Sequence, residues 1–93
     1  MRAVVCREWG TPEDLTMDEI AEPDMTEGGV RIAVKACGVN FADTLMITGE
    51  YQTRPPFPFS PGLEVGGDVL EVAPGVTHVK PGDRVMAMTS WGG

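Results

Sequence analysis

Twelve glycines and eight prolines punctuate a chain of 93 residues, and turn signals at this spacing leave room for short strands and little else. Gly10-Thr11-Pro12, Gly28-Gly29, Pro74-Gly75 and Pro81-Gly82-Asp83 each close a segment. Met1 to Cys6 reads as a strand, and Leu15 to Ile20 as a second, imperfectly alternating one, forming an antiparallel pair. Val30 to Ala36 is the clearest strand: Val30, Ile32, Val34 and Ala36 fall on one face and Arg31, Ala33 and Lys35 on the other. Such alternation predicts an antiparallel sheet with one wet face. Gln52 to Pro61 carries Pro55, Pro56, Pro58 and Pro61 interleaved with Phe57 and Phe59, which predicts a stiff extended loop anchored by its aromatics. Gly62 to Ala73 reads as a long strand interrupted at Gly66-Gly67, where a bend, a bulge or a closely passing backbone is expected. Arg84 to Met88 is the last strand. Five or six short strands and one short helix predict a mainly β domain, a small sandwich or barrel.

The helix falls in the stretch from Ala36 to Tyr51. A strand ends there, the chain turns at Gly38, and a helix barely two turns long closes at Gly49. Asn40 suits its N-cap, and Asp43, three residues on, can reach back to a free backbone N–H. Asn40, Asp43 and Tyr51 are the only residues in the chain arranged like a site. Asn40 and Asp43 also fit a pure capping pair, and Tyr51 also fits an aromatic packed on the proline loop.

The net charge is -7, with eight acids before Gly28. Such a surface repels phosphate backbones and argues against a nucleic-acid partner. No run approaches the roughly 20 apolar residues of a membrane span, and no secretory signal pattern is present. Cys6 and Cys37 lie in apolar strand-like runs and read as buried free thiols, which suits a cytoplasmic protein.

Much chemistry is absent. His78 stands alone, and with Cys6 and Cys37 it has no metal-ligand spacing. There is no nucleophile elbow, no dinucleotide fingerprint between a strand and a helix, and no phosphate loop.

Four motifs then carry a resemblance. Ala36-Cys37-Gly38-Val39-Asn40-Phe41-Ala42-Asp43-Thr44, Gly49-Glu50-Tyr51, Pro61-Gly62-Leu63-Glu64-Val65-Gly66-Gly67 and Val79-Lys80-Pro81-Gly82-Asp83-Arg84-Val85 closely resemble the start of zinc-free NADPH:quinone oxidoreductases of the medium-chain dehydrogenase/reductase superfamily. The resemblance covers Met1 to about Met88. It implies a GroES-like, partly open β-barrel across residues 1–93, the N-terminal part of a substrate domain whose Rossmann domain would follow outside this chain. In the zinc-dependent alcohol dehydrogenase branch, the positions matching Asn40 and Leu63 are cysteine and histidine ligands. Here an amide and an aliphatic side chain stand there, which is no zinc shell.

The resemblance further implies hydride transfer from NADPH to a quinone, enone or similar acceptor. Asn40 would donate to the acceptor oxygen and Tyr51 would hydrogen-bond the developing charge, with Phe41 and Asp43 lining the cleft. Some relatives carry a second tyrosine in the helix; Leu45 or Met46 falls in that region here. The cofactor would be held mainly by the absent domain, so the chain alone is expected to be catalytically silent. The full-length protein is expected to be a homodimer. The alternative is a stand-alone, non-enzymatic barrel module for protein interaction.

Overall fold

The computed structural model describes all 93 residues. Five strands form two open antiparallel sheets. In the smaller, β1 (Arg2–Val5) pairs with β2 (Thr16–Glu19). In the larger, β3 (Val30–Cys37), β4 (Glu64–Val72) and β5 (Arg84–Met88) lie in that order, each antiparallel to its neighbour. The one α-helix, α1 (Phe41–Thr48), follows β3. The domain is therefore mainly β and of the partly open kind, with no closed barrel in these 93 residues.

Turn chemistry sets the element ends. Gly49 adopts φ 83°, and its N–H closes the helix onto Leu45 and Met46 carbonyls. An ordinary side chain would be strained at this left-handed position. It would also meet the Trp9 ring, which lies 3.0 Å from where a Cβ would stand. A single 3-10 turn, Pro12–Asp14, precedes β2, with the Asp14 carboxylate accepting the Thr11 N–H at 2.9 Å.

The Gly66-Gly67 pair does not interrupt β4, which runs unbroken from Glu64 to Val72. The irregularity lies across the ladder. Val34 faces Gly67 and Ala36 faces Gly66, leaving Lys35 as an extra residue in β3. A bulge brings two backbones close. A Cβ on Gly67 would collide with the Ala33 carbonyl oxygen and lie 2.9 Å from Ile32 Cγ2. Of the three possibilities at the glycine pair, the bulge and the close backbone both occur.

One expectation for β3 fails. Its first half is partly buried, but Val34 to Cys37 is exposed whichever way the side chains alternate. The pleat determines which face a side chain takes; burial requires another layer over that face, and no element of this chain supplies one at this end. Cys37 is likewise exposed rather than buried.

The core is small. Cys6, Met46, Ile47 and Phe59 form its buried centre, with Leu15, Tyr51 and Leu63 packed against it. Val65, Val69 and Ala73 are buried along and just beyond β4. Helix α1 thus contributes Met46 and Ile47, which is how so short a helix is held. The proline loop is tied in by Phe59, whose N–H and C=O pair with Cys6 at 3.1 and 2.7 Å. Trp9 packs edge-on to Phe57 with ring centroids 4.5 Å apart, and Phe57 stacks on Phe59 at 5.7 Å. The sequence reading identified the loop's two phenylalanines but not Trp9.

Candidate functional site

The strand end of β3 turns at Gly38 and delivers Asn40 to the N-cap of α1. Asp43, at the third helical position, accepts the Asn40 N–H on Oδ2 at 3.0 Å. Its other oxygen, Oδ1, accepts the Gly62 N–H at 3.0 Å. One carboxylate therefore ties the helix start to the loop that launches β4. Asn40 and Asp43 form a capping box, although the Asn40 side chain closes no full hydrogen bond in it. Its Nδ2 donates instead to Glu64 Oε1, at 3.3 Å, 24 residues along the chain.

Glu64 folds back over Gly38. A Cβ on Gly38 would collide with Glu64 Oε1 and lie 2.9 Å from its Cδ. Any residue larger than glycine at 38 would displace the carboxylate that Asn40 binds. Nothing local in the sequence marks Glu64 as part of this site, because its tie to Asn40 is long-range. The clash at Gly38 is the one signal that the quoted motifs hold, and it is visible only with the strands in register.

Beside this corner runs a groove of about 530 Å³, lined by Ala36, Gly38, Glu64, Val65, Gly66, Met86, Ala87 and Met88. It is apolar except for Glu64, its one ionisable residue. Met86 and Met88 are 91% and 87% exposed, and Val39 is 90% exposed. Phe41, the first residue of α1, stands 78% exposed at the same corner.

Tyr51 is placed differently from Asn40 and Asp43. It lies past Gly49, roughly 12 Å of helix away at 1.5 Å per residue, half-buried against the Cys6, Met46, Ile47 and Phe59 cluster. The structure thus joins Asn40, Asp43 and Glu64 at one corner, with Phe41 beside them, and sets Tyr51 at the far end of α1.

Cys37 neighbours the same corner. Its Sγ packs against Gly62 and Gly93, 2.9 and 2.8 Å from where their Cβ atoms would stand. That local burial, and then the charges of Asp43 and Glu64, push the thiol above its ordinary range. It is accessible, but it is not a poised thiolate. No three His, Cys, Asp or Glu side chains converge so as to hold a metal ion; Asn40 offers a neutral amide and Leu63 no donor atom at all.

An open β-domain with a single capped helix beside an exposed apolar groove defines a class of domain. Residues 26–92 match the alcohol dehydrogenase GroES-like domain, and the chain belongs to that family. Similar proteins include quinone oxidoreductase-like proteins and an alcohol dehydrogenase of Geobacillus stearothermophilus, 40% identical over 91% of this chain and 25% of that protein. The chain is 44% identical over 92 residues to the quinone oxidoreductase-like protein 2 homolog of Nematostella vectensis, covering 99% of this chain and 25% of that protein. It is 47% identical over 90 residues to mouse quinone oxidoreductase-like protein 2, covering 97% of this chain and 25% of that protein. Among solved structures it superposes on the Escherichia coli quinone oxidoreductase complexed with NADPH with a TM-score of 0.87 at 35% identity, covering 98% of this chain and 28% of that one. The chain spans about a quarter of the length of the curated relatives it matches.

Proposed function

We propose that this chain is the N-terminal substrate-side domain of an oxidoreductase that moves hydride from NADPH to a quinone or a similar activated carbonyl or alkene without zinc. The observation that carries the reading is the Asn40 corner. An amide donor, hydrogen-bonded to the Glu64 that lines the apolar groove, stands where the zinc branch of the superfamily would have a thiolate. A neutral amide cannot replace a metal as a Lewis acid, but it can hydrogen-bond an acceptor oxygen as negative charge develops there.

The residues present fit one end of the cofactor and not the other. The apolar groove suits a flat, uncharged ring. None of its lining residues is basic, and the chain has no glycine-rich phosphate turn. NADPH, when bound, supplies the hydride; the phosphates need a second domain, proposed as the Rossmann domain that follows this one. Asn40 then binds the acceptor oxygen, Phe41 covers the cleft mouth, and Asp43 holds the corner in shape. Tyr51, at the far end of α1 and packed on the core cluster, is proposed for a hydroxyl role toward the substrate from that end, apart from the Asn40 corner. The full-length protein is proposed to be a cytoplasmic homodimer.

NADPH oxidation with a soluble benzoquinone tests this. The 93-residue chain should show none above buffer. The longer oxidoreductase carrying this domain should turn over without added metal, more slowly with Asn40→Ala and with Tyr51→Phe. Turnover that chelators abolish, or full rates in both variants, would remove the reading.

A further inference from the structure

We infer that Glu64, which lines the groove, is a positioning residue for Asn40, fixing which end of its amide is turned toward Glu64; the functional part of this rests on the reading of Asn40 given above. A planar amide can present either its oxygen or its NH₂ at one place, and a neighbour usually decides which. Here the neighbour is a carboxylate, which when ionised can only accept. The contact between Asn40 and Glu64 Oε1, at 3.3 Å, therefore requires the NH₂ group on that side. One Nδ2 hydrogen is taken by Glu64 and the other remains free to donate.

The surroundings support a built arrangement rather than a chance meeting of two surface side chains. Asn40's backbone is pinned by Asp43 at 3.0 Å. Asp43 is pinned in turn by the Gly62 N–H at 3.0 Å, two residues before Glu64. Gly38 leaves the space the Glu64 carboxylate occupies. The amide and its acceptor are thus each held by their own backbone, and the bond between them joins the start of α1 to the first residue of β4. Charge adds to this: a carboxylate is a stronger acceptor than a neutral oxygen and polarises the amide that donates to it. A more polarised NH₂ is a better donor to an acceptor oxygen gaining charge.

Two readouts test the inference. The first uses this chain alone and needs no activity. The titratable groups around Asn40 are Glu64 from β4, which accepts from its side-chain amide, and Asp43 from α1, which accepts from its backbone N–H; Cys37 from β3 feels the charge of both carboxylates. In amide NMR, the Asn40 side-chain NH₂ signals should shift as the carboxylates are protonated. Most of that shift should vanish in Glu64→Gln, while the Asn40 backbone N–H, which reports Asp43, keeps its own. An unchanged side-chain titration in Glu64→Gln would overturn the inference.

The second readout is kinetic, in the longer oxidoreductase. Glu64→Ala should lower kcat on the order of tenfold with little change in KM, an interaction that strengthens in the transition state. Adding Glu64→Ala to Asn40→Ala should cost nothing further. Glu64→Gln, which is neutral and can turn either end of its amide toward Asn40, should recover only part of the rate. If Asn40→Ala slows turnover and Glu64→Ala does not, the positioning role fails and the proposed function stands. If Asn40→Ala itself has no effect, the proposed role of Asn40 fails first.

Discussion

Asp43 shows how much one side chain can carry in a domain with few buried residues. Its two oxygens accept the N–H of Asn40, three residues back, and that of Gly62, 19 residues on. Removing the carboxylate orphans both donors. Asp43→Ala should therefore destabilise the domain by about 1–2 kcal/mol, the range for losing a cap together with a second charged acceptor near the surface. A urea denaturation midpoint would show it; an unchanged midpoint would mean that water replaces both bonds without loss. Cys37 offers a second check at this scale. Burial, then Asp43 and Glu64, raise its pKa, so the thiol stays protonated at neutral pH. Alkylation of the folded chain should be slow at pH 7 and climb above the ordinary thiol range, since the thiolate is the reacting form. Cys37 should modify well before Cys6, which is buried and donates to the Glu8 carbonyl at 3.2 Å. Glu64→Gln should speed the Cys37 reaction by removing one repelling charge. Peptide mapping after timed alkylation decides both points.

Among the elements, the β3–β4 ladder is the most demanding. The bulge at Lys35 presses the Ala33 carbonyl against Gly67. Gly67→Ala adds one methyl and has nowhere to put it except by opening the ladder. A cost of about 2–3 kcal/mol is expected, at the upper end for overpacking. Gly66→Ala is the control, since the nearest atom to its Cβ position is 3.9 Å away. Thermal melts of the two variants should separate clearly. This contrast also marks how far the sequence could be read. Local signals were sufficient for β5, for the antiparallel pairing of β1 with β2, and for α1 between Asn40 and Gly49, because caps and periodicity act within a few residues. The paired glycines announced a close approach, but which strand carried the bulge depended on register with β3. The exposure of Val34 and Cys37 was not legible, because alternation records the pleat and not what covers it. Glu64 was missed for a related reason: a single acid in a strand reads as a solvated surface charge until the strand is set beside Asn40.

At the scale of the molecule, the apolar surface is unevenly covered. One side of α1 packs on the centre built from Cys6, Met46, Ile47 and Phe59. The other border of the domain leaves Val39, Phe41, Met86 and Met88 open, on the same side as the Asn40 corner. Exposed apolar side chains also stand elsewhere, Met1 and Met17 on the smaller sheet and Leu70 on β4 among them, so more than one apolar area is uncovered. No strand of the β1–β2 sheet pairs with a strand of the β3–β4–β5 sheet. The smaller sheet is joined to the rest through the Cys6–Phe59 bridge, the Gly10 N–H on the Ile47 carbonyl, and side-chain packing. The domain should therefore open in two stages. Deuterium should enter β1 and β2 amides early and together, on the time of a local fluctuation. The central amides of β4, hydrogen-bonded on both sides, should exchange only when the whole domain unfolds. Breaking the stacked pair with Phe59→Ala would then quicken exchange in β1 far more than in β4. The proline loop is in this sense a clasp: it sets how often the first twenty residues come loose without the larger sheet following.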